Sequence, residues 1–380
     1  MVLLNLSNLP WIPNRLKRNQ AIFIHMLDHS PALSSGIFVN PPRLAGTSAV
    51  AKYLTPTRFS SQCYTTPGGK PVTIIDSTYT LWDWHLPPLR QLYSARMARY
   101  LRCQAAAGQP FLLWLNTAGR LQTPVAHLLR AQGARTIFDL SDDFRAPGFG
   151  MNPADLSSLT NAADLVLCVN QTVADSVSHS RKLVFHNCTN PTAFTSSDPA
   201  FTLPPWWPKP PGAVYIGFTG GIHWTRTDLP LLEHVLTRFP NWRFLFIGYT
   251  DGPHILEWLA RFPNAAFVPE ISYSDLTHVL HSFDAAVVPH ADNEYTRGND
   301  LLKVLEYFAA GIPVVATPCS GLERYGDALH LTADPVEFAN LLAGVVDRSD
   351  LPDTALAFQH AQTRSWGSQV AALSRQLAIA

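Results

Sequence analysis

Short apolar runs separated by stretches of helical periodicity organise the chain. In the first half they read VLLNLS, GIFVN, VTIID, FLLWL, TIFDL, DLVLCV and KLVFHN, with a helix-like stretch from Arg15 to Leu27 after the first. Runs rich in β-branched and aromatic residues, flanked by helical periodicity, predict strands covered on both faces and hence a mostly parallel sheet in an α/β domain. The alternation breaks at SSDPAFTLPPWWPKPPG and then restarts. The second series is AVYIGF, a helix from about 228 to 238, WRFLFIG, a helix over 255–261, AAFVP, a helix over 274–282, AAVVP, a helix over 300–310, and IPVVAT. That order predicts a second α/β domain of the doubly wound kind.

The expected division is therefore an N-terminal domain over 1–195, a Pro-rich linker over 196–212 and a C-terminal domain over 213–360. Proline removes backbone donors and fixes extended geometry, so the linker should form neither helix nor strand. Trp206 and Trp207 within it should pack against a domain and limit its freedom. The amphipathic C-terminal stretch 361–380 has no strand to follow and is expected to pack back on the first domain.

Composition supports this picture. A chain of 380 residues exceeds what one core usually organises, and 47% hydrophobic against 15% charged residues excludes a disordered protein. With 28 basic and 28 acidic side chains the formal net charge is zero, so no global field draws the chain onto nucleic acid. Five scattered cysteines form no zinc-spaced pair and no secreted framework, which fits a reducing cytosol. No metal-ligand spacing is read among the fourteen histidines. The opening MVLLNLSNLPWIP is too short for a leader or a membrane span, so any work at a membrane is expected to be peripheral.

Ligands of open parallel sheets bind beyond the carboxyl ends of strands, which directs attention to two segments. GFTGG, from Gly217 to Gly221, leads through His223, Trp224 and Arg226 to a helix. Glycines there permit close backbone approach to a phosphate, and a plain tight turn is equally compatible. The second segment is NDLLKVLEYFAAGIPVVATPCSG, from Asn299 to Gly321. On a helix, Asp300, Lys303 and Glu306 would stand near one another, opposite Leu302, Leu305 and Phe308. A solvated face carrying an ion pair is the competing reading.

KVLEYFAAGIPVVAT, preceded by HSFDAAVVP and FVPEISYSDL, resembles the donor domain of GT-B glycosyltransferases of the large retaining family 4 (group 1). The pattern is similar in particular to bacterial polysaccharide and teichuronic-acid members. The resemblance implies two Rossmann-like domains facing across a cleft and a nucleoside-diphosphate sugar as co-substrate, with no resident cofactor or metal. It further implies that Glu306 accepts the ribose hydroxyls. Gly220, Gly221 and the amides of Asn299, Asp300, Leu301 and Leu302, with Lys303 and Arg226, would meet the diphosphate, and the loop from Val268 to Ile271 would read the base. Many family members carry another glutamate, contacting the sugar, where this chain has Gly298.

In the first half, FLLWLNT, TIFDLSDDF, AADLVLCVNQTV and VFHNCTNPTAF resemble later strands of the family's N-terminal domain. Asp142 falls where the family often has a histidine close to the reacting sugar. Asp142 and Asp143 are thus candidates for orienting the acceptor hydroxyl or acting as base, with a helix N-cap pair as the alternative.

The implied function is transfer of a sugar to a hydroxyl of a glycan or lipid-linked acceptor, with retention, in bacterial cell-surface polysaccharide assembly. A sugar-nucleotide 2-epimerase and a catalytically degenerate nucleotide-sugar-binding subunit remain open beside it. Finally, LRQLYSARMARYLRCQ, over 89–104, places Arg90, Arg96, Arg99 and Arg102 on one helix with Leu92, Met97, Tyr100 and Leu101. This is an ordinary surface helix or one that lies on an anionic membrane, with Arg15, Lys17 and Arg18 adding to the same surface.

Overall fold

The computed structural model describes residues 1–12, 18–46, 48–144, 151–195, 212–319 and 321–378. The Pro-rich segment, apart from Gly212, lies outside them, as do Arg15 and Lys17. The chain divides into two compact units, Met1–His186 together with Gln369–Ala380, and Asn187–Ser368.

The first unit is built on strands β1 (Val2–Leu6), β2 (Ser35–Val39), β3 (Arg43–Leu44), β4 (Phe59–Thr65), β5 (Pro71–Tyr79), β6 (Phe111–Leu115), β7 (Arg135–Leu140), β8 (Leu165–Cys168) and β9 (Lys182–Val184). Their order is β3-β5-β2-β1-β6-β7-β8-β9, parallel throughout, with β4 antiparallel on the outer side of β5. The opening apolar run is β1, which pairs with β2 and β6 and is buried along its whole length. Complete burial of β1, β6 and β8 is the reason their sequences show no polar alternation.

The helix Trp366–Gln376 begins in the second unit and ends in the first. There Val370, Leu373 and Leu377 are buried, Ser374 Oγ donates to Met26 Sδ, and Arg135 Nη2 donates to the Leu377 carbonyl.

The second unit carries β10 (Tyr215–Ile222), β11 (Arg243–Thr250), β12 (Ala265–Pro269), β13 (Ala285–Val288), β14 (Val314–Ala316) and β15 (His330–Leu331). These run parallel in the order β12-β11-β10-β13-β14-β15. Alternate residues serve two cores. Ala286 and Val288 of β13 face the cluster containing the helices Tyr273–Leu280 and Leu302–Ala309. Ala285 and Val287 face the cluster containing Leu229–Arg238, Pro253–Leu259 and Pro335–Asp347. With a helical layer on each face, strand order reverses between β10 and β13, and the connections leaving their carboxyl ends border the crevice where such sheets bind ligands.

Helix boundaries differ locally from the sequence expectation. Ser272 accepts from Asp275 N to cap the helix that starts at Tyr273, and Asp228 accepts from Leu231 N to cap the one that starts at Leu229. The expected 300–310 helix is shorter, Leu302–Ala309, and a separate turn of helix, Glu294–Arg297, precedes it. Asp300 is therefore outside the helix that carries Lys303 and Glu306. GFTGG is likewise no loop, because β10 continues through Ile222 and the connection begins at His223.

Candidate active site

The helix Leu302–Ala309 is almost wholly packed: Val304, Leu305, Tyr307, Phe308 and Ala309 are all buried. Tyr307 Oη ties it to β10 by accepting from the Thr219 amide at 2.7 Å. Glu306 shares this burial, with 7% of its surface exposed, which rules out the solvated-face reading. Lys303, one turn earlier, reaches over the end of β10. Its Nζ lies 3.8 Å from the centroid of the Phe218 ring, and a Cβ on Gly220 would come within 3.1 Å of it.

Neither charge has a hydrogen-bond or ion-pair partner among the described residues, and the two do not pair with each other. Burial raises the Glu306 carboxyl to about 7, with Lys303 pulling the other way. Burial lowers the Lys303 ammonium to about 7, opposed by Cys319 and Glu306. A carboxylate and an ammonium that shift each other's titration without pairing mark this end of the sheet as a candidate site for a polar ligand.

Two glycines form the floor. Gly220 and Gly248 are register partners at the ends of β10 and β11. Gly220 has φ +106° and Gly248 has φ +147°, and a Cβ on Gly248 would stand 2.2 Å from the Gly220 carbonyl oxygen. No side chain fits there, so the backbone itself lines the site.

The connection from His223 to Asp228 is clamped to the segment that follows β13. Ala291 N donates to the Arg226 carbonyl at 2.8 Å, Asp228 N to the Pro289 carbonyl at 2.8 Å, and Asn293 Nδ2 to the Thr225 carbonyl at 2.8 Å. Arg226 lays its guanidinium over the Tyr295 ring at 3.7 Å.

His290, buried to 5% exposure, holds the centre of this clamp. Its Nδ1 lies 3.0 Å from the Arg226 carbonyl, an acceptor only, so Nδ1 carries the proton and Nε2, which has no partner, presents a lone pair. Burial and the neighbouring Lys303 drive His290 down to about 3, so the ring is neutral. His223 is also lowered, by burial and by Arg226, and its Nε2 is likewise buried without a partner. Sequence reasoning passed over His290; its signal was a histidine directly after the strand-ending proline of AAVVP.

Asp300 does not join the pair. Its carboxylate accepts from the Asn187 amide at 2.6 Å and pairs with Arg324 and, at 3.8 Å, with Arg364, while its carbonyl accepts from Asn187 Nδ2. These partners hold segments of the unit together, and Asp300 stands just before the helix that carries Lys303 and Glu306 rather than on it. Asn299 N closes a turn on the Thr296 carbonyl, Leu301 is buried before the helix, and Leu302 opens it. No side chain caps that helix, so its first amides are unmet by any cap. Gly220, Gly221, Arg226, Lys303 and Glu306 converge at the β10 end, and Val268 and Ile271 pack against the same core as the Leu302–Ala309 helix.

Asp142 and Asp143 lie in the first unit, after β7. They line a cavity of about 210 Å³ together with Ser157, Thr160, Asn161 and Ser176. The helix Pro153–Ala162 is capped by Asn152, and the residues that directly follow the two aspartates, 145–150, lie outside the described ones.

Arg18 was expected on a basic surface and is instead buried. Its guanidinium pairs with Asp139 at 2.7 Å and donates to the Phe185 carbonyl at 2.8 Å. His25 and His29 stand four apart on the Arg18–His29 helix with rings 5.5 Å apart, which corrects the reading that no histidines have such spacing. Among the described residues no group of three or more His, Cys, Asp or Glu could hold a metal, and no helix is long and apolar enough to cross a membrane.

Residues 213–348, which contain this site, match the family model described as glycosyl transferases group 1. A putative teichuronic acid biosynthesis glycosyltransferase, TuaH of Bacillus subtilis (strain 168), is 29% identical over 106 residues. That match covers 27% of this chain and spans about a quarter, 26%, of the relative's own length.

The architecture of both units is shared with solved GT-B glycosyltransferases. A trehalose-6-phosphate enzyme from E. coli bound with UDP-2-fluoro glucose superposes with a TM-score of 0.67 at 15% identity, over 99% of each chain. Anabaena HepE in complex with UDP-glucose gives 0.66 at 14% identity, again over 99% of each chain. The second unit thus shares the GT-B architecture, with half-buried Lys303 and buried Glu306 at the switch point of its sheet.

Proposed function

We propose that the chain transfers a glycosyl group, with retention, from a nucleoside-diphosphate sugar to a hydroxyl of a glycan or lipid-linked acceptor. The observation that carries this reading is the unsatisfied Glu306–Lys303 pair beside the Gly220–Gly248 floor. A carboxylate can take two hydroxyl donors at once, which suits a ribose diol. Lys303, Arg226, the Gly220 and Gly221 backbone and the uncapped amides of the Leu302–Ala309 helix suit a diphosphate. Val268 and Ile271 would flank the base, and uridine is the first to test because fold relatives were solved with UDP-sugars.

Departure of the diphosphate leaves oxocarbenium character on the sugar and new charge on phosphate oxygens. A well-placed donor such as Lys303 stabilises that charge by on the order of 2.7–4 kcal/mol. Asp142 and Asp143 would orient the acceptor hydroxyl in the cavity they line. The reading needs no resident cofactor or metal, since the nucleotide sugar is itself a substrate. The similarity to TuaH supports a place in cell-surface polysaccharide assembly.

Calorimetry with nucleoside diphosphates and their sugars, followed by assays of Glu306→Ala and Lys303→Ala, tests the reading. Glu306→Ala should weaken donor binding and Lys303→Ala should lower turnover. Binding and rate unchanged in both would remove these residues from the site.

A further inference from the structure

Among the described residues fifteen large apolar side chains are exposed, and seven of them fall between residues 50 and 92 of the first unit. Val50, Tyr53 and Leu54 belong to or adjoin the helix Ala51–Leu54, and Trp82 lies on Leu81–His85. Leu86 precedes the long helix Pro87–Cys103, which carries Leu89 and Leu92. These helices form one surface: the Tyr53 and Trp82 rings meet edge to face at 4.9 Å, and Arg90 Nη1 donates to the Trp84 carbonyl at 3.3 Å.

The long helix buries Tyr93, Ser94, Met97, Ala98 and Leu101. Its opposite stripe, at alternating three- and four-residue spacing, is Leu89, Leu92, Arg96, Arg99 and Cys103, all exposed. The outward face is therefore apolar at one end and cationic along the rest.

Charge is equally one-sided. In a chain of zero net charge, residues 43–104 hold eight lysines and arginines against two aspartates. Asp83 is occupied by Thr57 and Thr80, and Asp76 accepts from Asn40 Nδ2.

We propose that this surface seats on an anionic lipid bilayer, with Leu54, Trp82, Leu89 and Leu92 entering the headgroup layer and Arg96 and Arg99 meeting lipid phosphates. Apolar side chains ringed by cations match that boundary, whereas a second copy of the chain would set like charges against each other. The inference is independent of the donor reading, because no residue of the Lys303–Glu306 site takes part.

Co-sedimentation of the full chain with vesicles, read without any nucleotide, tests it. Binding is expected to phosphatidylcholine vesicles containing phosphatidylglycerol, much less to phosphatidylcholine alone, and to weaken with salt. Arg96→Gln with Arg99→Gln should lower the partition about thirtyfold, at about a factor of five per charge. Leu89→Ser with Leu92→Ser should also lower it. All four side chains are exposed, so the variants should melt like the parent and bind nucleotide sugars as it does.

No binding to anionic vesicles would overturn the proposal, as would equal binding to neutral ones. A concentration-dependent dimer abolished by the same substitutions would overturn it in favour of self-association.

Discussion

Replacing Lys303 by Met and Glu306 by Leu together should make the second unit more stable and unable to hold the proposed nucleotide-sugar donor. Glu306 is 7% exposed and Lys303 half-buried, and neither charge has a hydrogen-bond or ion-pair partner among the described residues, so both are desolvated without the contact that would offset it. Exchange of buried ionic groups for apolar ones of similar volume is commonly neutral to stabilising, by about 1–4 kcal/mol. For a unit the size of Asn187–Ser368 each kcal/mol moves the midpoint by roughly 2–4 °C. Scanning calorimetry of the ligand-free protein should show the corresponding transition rise by several degrees. In the same variant, loss of two charge-assisted hydrogen bonds to a diol is worth about 3 kcal/mol or more, at least about a hundredfold in Kd. Opposite signs in the two assays are the signature of a pair kept for ligand binding. A variant that melts earlier and still binds a nucleotide sugar within about threefold of the parent would show that the pair is structural and refute the reasoning.

The pH dependence follows from the same pair. Glu306 is raised from 4.5, so its contribution is fully present below that value and is lost as pH rises through about 7. Lys303 is lowered from 10.5, so its contribution is present above that value and is lost as pH falls through about 7. Urea unfolding across this range should find a dip in stability near neutrality that the double variant lacks; a dip of the same depth in the variant assigns it to other groups. Affinity for a nucleotide sugar, whose diphosphate diester does not titrate there, should peak near pH 7, falling on acidification as Glu306 takes up a proton and on alkalinisation as Lys303 loses one. Gly248→Ala should cost about 2 kcal/mol or more and weaken donor binding with it, since the new Cβ meets the Gly220 carbonyl at 2.2 Å; a soluble variant with parental stability and affinity would contradict the described floor. Asp139→Ala, which strands buried Arg18, Asn116 and Trp114 donors, should destabilise the first unit by about 3–5 kcal/mol in urea; a loss below about 1 kcal/mol would mean that water replaces the carboxylate.

What the sequence disclosed was set by local pattern. Unalternated runs such as FLLWL and AAVV are legible as interior strands because burial on both faces leaves no polar position. Lys303 and Glu306 are legible because two charges on an otherwise apolar helical run are conspicuous. The ion pairs of Asp300 were not legible because Arg324 and Arg364 lie 24 and 64 positions away, and Arg18 was misplaced because Asp139 lies 121 positions away. His290 acquires meaning only once folding brings the Arg226 carbonyl within 3.0 Å of its ring. Gly220 and Gly248 read as turn residues, while their actual constraint is the close approach of two neighbouring strands. Local periodicity carries none of these pairings.

The path of the chain also sets an order of assembly. The second unit begins at Asn187 and finishes at Ser368, and its ends are fastened to each other: Thr189 N donates to the Arg364 carbonyl, and Trp366 N to the Thr189 carbonyl. During synthesis the second unit therefore has all its residues once Ser368 has been added. The first unit, although made earlier, still lacks Val370, Leu373 and Leu377 at that moment. The part of the chain made first thus completes its packing only with residues made after the whole of the second unit.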